Sequence, residues 1–437
     1  MAVRHSLPPL PNDALNAAPN LGLPRELAYL VLLFALFVVP KWLQRYRIPA
    51  AITSLGLGVA ATFGGWFTGD TTVQLLASFG IVALFLFAGL DIDADELRRA
   101  AGPLAVHGLI WILLVALATA FAQWAFRLPF RPAILVSLAL VTPSTGFILS
   151  SLSSFGLDAT EQFAVKSKGV AAELLALGAL FFVLQSTSLT RFALASVAMI
   201  ALVLLIPVAF RIFAATVAPH APRSEFAFLL MVALICSYAT RRLGVYYLVG
   251  AFVVGVAAQR FRAHMPAMSS EKMVEALEAF GSVFIPFYFF SAGTHVDRNE
   301  LGVAAIGLGL AFVAAFVPLR IAVTYAHRRW MLGDSPESAK RIAVSLVPTL
   351  VFTLVLAEIL RERFAASHLL VGALIVYTIV NTTVPAFVLR ASPPDFETPL
   401  ATSHGASEDA GRVTGALPAA AARPDAEAGG TTASRGA

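Results

Sequence analysis

The sequence has few charged residues and almost no cysteine. Asp, Glu, Lys and Arg make up 13% of its 437 residues, about half the roughly 25% found in soluble domains. Cys236 is the single cysteine, which excludes a disulfide within the chain and a metal site made of several thiolates. We also find no HExxH zinc motif, phosphate-binding glycine loop or nucleophile motif. These features argue against a soluble domain and against an enzyme, and we expect no cofactor.

Apolar residues, 58% of the chain, instead fall in runs long enough to cross a bilayer. The sequence therefore predicts an all-α, polytopic membrane protein in which the formal charge of +5 reflects loop placement, not nucleic-acid binding. The second, eighth and ninth of the predicted spans are short or weakly bounded. The thirteen candidate spans are 26–43, 49–67, 72–90, 103–125, 132–153, 163–184, 192–215, 225–240, 243–259, 277–294, 302–326, 341–360 and 366–389.

The ends of these spans predict an orientation. Lys and Arg number 17 on the side opposite the N-terminus and 10 on the N-terminal side, so the positive-inside rule places the N-terminus outside and the C-terminus in the cytoplasm. Residues 1–25 are read as a polar segment and 26–390 as the transmembrane domain, with the first span retained in the protein. Residues 391–437 have too few apolar residues to fold and are predicted to be a disordered tail.

Two pairs of motifs indicate an internal repeat. The segment from Phe87 to Leu97 matches the segment from Ser291 to Leu301 at an offset of 204, and the prolines Pro143 and Pro348 recur at an offset of 205. Matching spans are seven apart. Because seven is odd, the two copies face opposite sides of the membrane, which is the inverted-topology repeat of many secondary transporters.

Each proline of the second pair lies inside a predicted span, the fifth or the twelfth, where it removes a backbone hydrogen bond. The sequence therefore predicts two broken helices, with free carbonyls and the hydroxyls of Thr142, Ser144, Thr145 and Thr349 beside a cavity. Two ordinary proline kinks, which membrane helices tolerate, are the structural alternative.

Glu173 lies at the middle of the sixth span. A carboxylate at that depth is costly unless it is paired, hydrated or protonated, so it is a candidate functional residue. A structural carboxyl held neutral by a neighbouring helix is the alternative.

Other polar residues are expected to have structural roles. Lys166 is read as an interfacial anchor, His107 and His295 as packed or interfacial, and the run from Asp91 to Glu96 as loop and capping residues. Gly250, Gly255, Gly307 and Gly309 suit close helix packing.

The chain resembles the cation:proton antiporter-2 family, which includes bacterial sodium/proton antiporters. The resemblance covers roughly residues 25–390 and rests on the order and spacing of LFLFAGLDIDADEL, TPSTGFILSSL, KGVAAELLALGAL, LGVYYLVGAFVVGV and FIPFYFFSAGTHVD. It implies a sodium/proton antiporter-like fold, a homodimer, and a Glu173 that binds cation and proton in turn. It also places a charge-balancing basic residue at Arg320. The sequence departs from the family at Ala172, where the family has an acid or an amide, and at 345–353, where it has a polar stretch.

These observations predict a secondary active transporter of a cell inner membrane that exchanges Na⁺ or K⁺ for H⁺. Hard cations take oxygen ligands, so the cation is expected to bind Glu173, Thr142, Ser144 and Thr145. With Ala172 in place of a second acid, one cation per proton, and hence electroneutral exchange, is the simpler expectation. The rival hypotheses are a sodium-coupled organic-anion carrier on a related scaffold and a non-transporting membrane sensor or a channel.

Overall fold

The computed structural model describes residues 24–92, 97–98, 100–186, 188–221, 224–243, 248–262 and 271–390. The predicted polar N-terminal segment and the predicted disordered tail lie almost entirely outside these residues. Within them the chain is helical and contains no β-strand. The helices are α1 (Arg25–Gln44), α2 (Ala50–Gly64), α3 (Thr71–Leu90), α4 (Ala101–Phe126), α5 (Phe130–Val141), α6 (Thr145–Ser151), α7 (Ala159–Gln185), α8 (Leu189–Ile212), α9 (Glu225–Arg242), α10 (Leu248–Arg262), α11 (Glu271–Thr294), α12 (Val303–Ala326), α13 (Pro336–Ser345), α14 (Leu350–Phe364) and α15 (His368–Val388).

Every predicted span corresponds to a helix or to a pair of helices. Ten segments of the described chain are long and apolar enough to cross a membrane. Two of these contain two helices each, since α5 with α6 forms the fifth predicted span and α13 with α14 the twelfth. The three remaining predicted spans are α2, α9 and α10. The sequence marked these three as short or weakly bounded: α2 and α10 have 15 residues each, and α9 has 18 with Glu225, Arg241 and Arg242 at its ends.

The helices form two groups. In the first, α2 and α3 pack against α11, and α3 also packs against α10. In the second, α4 packs on α5, α12 on α15, and α14 on both α5 and α15. The two groups meet where α6 contacts α3. The second group contains both helix pairs, α5 with α6 and α13 with α14, and α7, which carries Glu173.

Glycine contacts show the internal repeat within the first group. Gly58 of α2 lies against Gly293 of α11, and Gly255 of α10 lies against Gly89 of α3. Gly89 and Gly293 are the glycines of the repeated Ala-Gly motif, 204 residues apart. Each copy of the motif therefore provides a flat helix surface on which another helix of the group packs closely. The repeat predicted from sequence is confirmed as a repeat of packing.

Gly255→Ala is expected to lower the free energy of unfolding. An added Cβ would overlap the Leu86 carbonyl and the Gly89 backbone, and overpacking of this kind costs about 1–3 kcal/mol. Gly307→Ala is the matched control, because no atom lies within 4 Å of the Cβ it would add. Thermal unfolding of the purified variants in detergent measures both. Equal unfolding midpoints for the two variants would contradict the packing role of Gly255.

The acidic residues of the repeated motif have a capping role in the copy that the structure describes. Asp297 and Glu300 form a capping box at the short helix Arg298–Leu301, as Asp297 accepts the Asn299 N–H at 2.9 Å. Glu300 is fully buried and forms a bidentate ion pair with Arg361, with distances of 2.9 and 2.7 Å. In the first copy, Asp93–Glu96 lie outside the described residues. No group of three potential metal ligands occurs in the described residues.

Candidate functional site

The fifth and twelfth spans are broken helices, not merely kinked ones. α5 ends at Val141 and α6 begins at Thr145, and between them Thr142 and Ser144 are extended. In the same way α13 ends at Ser345 and α14 begins at Leu350. Pro143 and Pro348 lie in the two interruptions, where they remove donors that a continuous helix would need. The Ser144 N–H donates to the Pro348 carbonyl at 2.8 Å, so the two breaks are in direct contact.

Glu173 lies beside the first break. It is 2% exposed, and its Oε2 accepts the backbone N–H of Thr145 at 3.1 Å. The sequence positions both partners of this hydrogen bond. Glu173 lies at the middle of α7, and Pro143 interrupts the fifth span just before Thr145. The contact stabilises the ionised carboxylate without neutralising it, because a backbone amide is a donor with no formal charge.

Three hydroxyls belong to the same break. Those of Thr142, Ser144 and Thr145 are buried, with each residue at most 1% exposed. The Thr142 Oγ1 has no hydrogen-bond partner among the described residues. Buried hydroxyls are nearly always paired, so an unpaired oxygen here is free to bind a ligand. The carboxylate and the hydroxyls are oxygen ligands of the kind that a hard monovalent cation takes.

Arg320 lies at the second break. Its guanidinium donates to the carbonyls of Leu346 and Val347, each at 2.7 Å, and to the Tyr377 hydroxyl at 3.3 Å. No ion pair between Arg320 and Glu173 is found among the described salt bridges. Arg320 is therefore placed where the carbonyls at the end of α13 concentrate partial negative charge. It satisfies acceptors that would otherwise be buried and unpaired.

The second break also has a polar cluster of which the sequence analysis predicted only Thr349. The Thr349 N–H donates to Asn381 Oδ1 at 3.3 Å, and Asn381 Nδ2 donates to Thr349 Oγ1 at 2.9 Å. Thr353 and Thr378 place their hydroxyls 2.8 and 3.1 Å from Thr349 Oγ1. Asn381 is an amide in the middle of an apolar span, and the test that identified Glu173 would have identified it as well.

A second cluster missed by the sequence analysis joins α7 to α12. Lys168 is buried, and its Nζ lies 2.7 Å from His327 Nδ1. The ring of His107, from α4, stacks on that of His327 with centroids 6.0 Å apart. His107 is thus packed, as expected. Lys166 is half-buried on the same helix. Lys168 could not have been assigned a partner from sequence, because His327 is 159 residues away.

Two cavities are lined by the helices that flank the second break. One has a volume of about 420 Å³ and lies near the start of α3 and the ends of α9, α11 and α14, where its lining includes Ser78, Arg241, His295, Glu358 and Arg361. The other is small and is lined by residues of α4, α12 and α13 together with Pro143 and Ala172. α14, which follows the second break, borders the first cavity, and α13, which precedes that break, borders the second cavity.

Comparison with known proteins gives consistent matches over the membrane part of the chain. The family model described as "Sodium/hydrogen exchanger, transmembrane" matches residues 30–391. The "Probable Na(+)/H(+) antiporter 3" of Methanocaldococcus jannaschii is 24% identical over 384 residues, which cover 83% of this chain and 95% of that protein. The "Na(+)/H(+) antiporter" of Enterococcus hirae is 22% identical over 365 residues, which cover 79% and 92%.

A solved structure shares the fold. The sodium proton antiporter MjNhaP1 from Methanocaldococcus jannaschii, determined at pH 8, superposes with a TM-score of 0.61 at 16% identity and covers 84% of this chain and 96% of its own. The predicted fold class is confirmed, as is the resemblance to monovalent cation:proton antiporters. With the family model spanning most of its length, the chain belongs to the sodium/hydrogen exchanger family of membrane transporters.

Proposed function

We propose that this protein exchanges a monovalent cation, Na⁺ or K⁺, for H⁺, and that Glu173 is the single carboxylate to which the two ions bind in turn. The observation that carries the proposal is the position of Glu173, buried against a helix break with the Thr145 N–H as a donor and the unpaired Thr142 hydroxyl in the same break. Among the described residues the other buried acids have different positions: Glu161 pairs with Arg341, Glu300 pairs with Arg361, and Glu225 lies in the first turn of α9. The names of the relatives, Na⁺/H⁺ antiporters, support the same activity.

The chemistry of exchange follows from one carboxylate with two possible occupants. A proton neutralises Glu173 and removes its attraction for the cation, whereas a bound cation favours the ionised form. Each ion therefore displaces the other. Thr142, Ser144 and Thr145 supply the oxygen atoms that replace water around the cation, and Arg320 balances charge at the neighbouring break.

Alternating access requires that the site open to one side at a time. We assign the movement to the second group of helices, α4–α7 and α12–α15, against the first. The larger cavity supports this assignment, because α3 and α11 of the first group line it together with α14 of the second. By the positive-inside rule, the larger cavity faces outward and the C-terminus is cytoplasmic. We place the protein in a cell inner membrane as a homodimer.

Electroneutral exchange is expected because one carboxylate carries one charge in each direction. In proteoliposomes with a trapped pH dye, Na⁺, K⁺ or Li⁺ is expected to drive proton movement at a rate that an imposed potential of about 100 mV leaves unchanged. If one net charge crossed per cycle, the same potential would act with about 2.3 kcal/mol, enough to change the rate severalfold. A potential-dependent rate would contradict the one-for-one exchange. No response to any of the three cations would contradict the exchange itself.

A further inference from the structure

The two breaks are built in the same way but carry different side chains. In each, a backbone N–H within two residues after the proline donates to a side chain of the following span. Thr145 donates to Glu173, 28 residues later, and Thr349 donates to Asn381, 32 residues later. Thr145 and Thr349 are themselves 204 residues apart, which is the offset of the repeat. Glu173 and Asn381 are thus the side chains that accept these N–H groups, one at each break.

A single peptide group connects Asn381 to the first break. The peptide that joins Pro348 to Thr349 uses its two polar atoms in opposite directions. Its carbonyl accepts the Ser144 N–H at 2.8 Å, and its N–H donates to Asn381 Oδ1 at 3.3 Å. Because the peptide is planar and rigid, fixing its N–H also fixes the direction of its carbonyl.

Ser144 in turn is bonded to Thr145, whose N–H holds the Glu173 carboxylate. The orientation of that donor depends on the backbone of Ser144, which the Pro348 carbonyl holds. Hydrogen bonds at both ends of one peptide also strengthen each other. A continuous series of short contacts thus runs from Asn381 to the oxygen of Glu173.

We propose that Asn381 is a positioning residue for the cation site. Acting through Thr349 and the Pro348 carbonyl on the segment that carries Thr145, it sets the cation affinity of Glu173 from the opposite half of the repeat. The proposal rests on the exchange function proposed above. It assigns Asn381 no contact with the transported ion.

The local contacts make Asn381 suitable for this role. It is fully buried, and its amide supplies both the acceptor for the Thr349 N–H and the donor for the Thr349 hydroxyl. An apolar residue would provide neither. Thr382 donates to Asn381 Oδ1 at 3.2 Å and so helps to fix the amide.

The test compares the apparent KM for Na⁺ with the maximal exchange rate in proteoliposomes. Asn381→Leu is expected to raise KM about tenfold, the equivalent of one net hydrogen bond, and to leave the maximal rate per folded protein within about twofold. Thr349→Val, which removes the hydroxyl that the amide holds, is expected to act in the same direction. Thr349→Ser restores the hydroxyl and should restore KM. A purely structural role would lower the amount of active protein and the maximal rate without changing KM.

The KM of a double variant tests independently whether Asn381 and Thr349 act together. Because they act through one contact, Asn381→Leu combined with Thr349→Val is expected to raise KM no further than the stronger single variant. Thr383→Val is the control on the same helix, since the Thr383 hydroxyl bonds only to the Val380 carbonyl among the described contacts and does not reach the break. If Asn381→Leu does not fold, the comparison of Thr349→Val with Thr349→Ser decides the question.

An unchanged KM in Asn381→Leu, or equal KM values for Thr349→Val and Thr349→Ser, would overturn the proposal. These outcomes differ from failure of the proposed function. That failure would appear in the unmodified protein as an absence of cation-driven proton movement, whereas here the unmodified protein exchanges normally and only the role of Asn381 is rejected.

Discussion

Glu173→Gln is expected to abolish cation-driven proton movement while the protein still folds. Glutamine has nearly the same shape and retains an oxygen that can accept the Thr145 N–H, which Glu173 now accepts at 3.1 Å. It cannot carry the proton or the negative charge that attracts the cation. We expect the exchange rate to fall at least about 100-fold, the lower end of what the loss of a proton-transferring side chain costs. The measurement is the pH-dye assay in proteoliposomes with Na⁺, K⁺ and Li⁺.

The matched control for this variant is Glu161→Gln. Glu161 is on the same helix and is also buried, but it caps the start of α7 and pairs with Arg341 at 3.1 Å. Its substitution is expected to lower thermal stability and to preserve exchange by the protein that remains folded. Undiminished exchange in Glu173→Gln would leave the family assignment intact and would require a different proton-binding group.

A substitution that keeps the charge separates two contributions of Glu173. Glu173→Asp retains a carboxylate but shortens the side chain by one methylene, which moves its oxygens away from Thr145. We expect exchange to persist with a higher KM for the cation. If Glu173→Asp were as inactive as Glu173→Gln, the geometry of the carboxylate would matter as much as its charge.

Much of the fold was predictable because its signals are local. Apolar runs predicted a helix or a pair of helices at each of the thirteen places, ten of them long and apolar enough to cross a membrane, and a matched proline in two of the spans predicted the broken helices. The repeated motif at 87–97 and 291–301 gave the internal repeat, since its two glycines, Gly89 and Gly293, each pack against a glycine of another helix. Glu173 was predictable from depth alone, because a single acid at mid-span has few structural explanations.

Partners across the bundle were not predictable from local signals. Arg320 was expected to balance Glu173, but its hydrogen bonds go to the carbonyls at the end of α13 and to Tyr377, 57 residues away. The Tyr377 hydroxyl donates to the Leu140 carbonyl across 237 residues. Such contacts depend on how helices that are distant in sequence pack against each other. The pattern of apolar residues along one helix does not indicate which distant helix it contacts.

The backbone carbonyls left without a helical partner at the breaks therefore contribute to the contacts across the bundle as much as the polar side chains do. At the first break, the Ala139 carbonyl is 2.7 Å from the Thr353 hydroxyl, and the Leu140 carbonyl accepts Tyr377 at 2.6 Å. At the second break, Arg320 donates to the carbonyls of Leu346 and Val347. Neutral hydroxyls suffice at one break, whereas the other uses a full positive charge.

Arg320→Met is accordingly expected to destabilise the second break and to slow exchange. The variant leaves two buried carbonyls without their donors. Hydrogen bonds from a charged group contribute about 1.5–3 kcal/mol each, and part of this is recovered because the guanidinium need no longer be buried. We expect the free energy of unfolding to fall by about 2–4 kcal/mol, measured by thermal unfolding in detergent.

Arg320→Met should slow exchange more than its loss of stability alone explains. Arg320 supports the broken segment that carries the Pro348 carbonyl, and this carbonyl accepts the Ser144 N–H. If about 1.4 kcal/mol of the lost interaction is present at the barrier between the two open states, exchange per folded protein slows about tenfold. Arg320→Lys keeps a cation and three donors, so it should recover most of the stability and part of the rate. A charge-balancing role for Arg320 toward Glu173 predicts instead that Arg320→Met changes the pH dependence of exchange with little loss of stability. The ratio of the two effects in Arg320→Met and Arg320→Lys therefore decides whether this arginine acts on the backbone of the second break or on the carboxylate of the first.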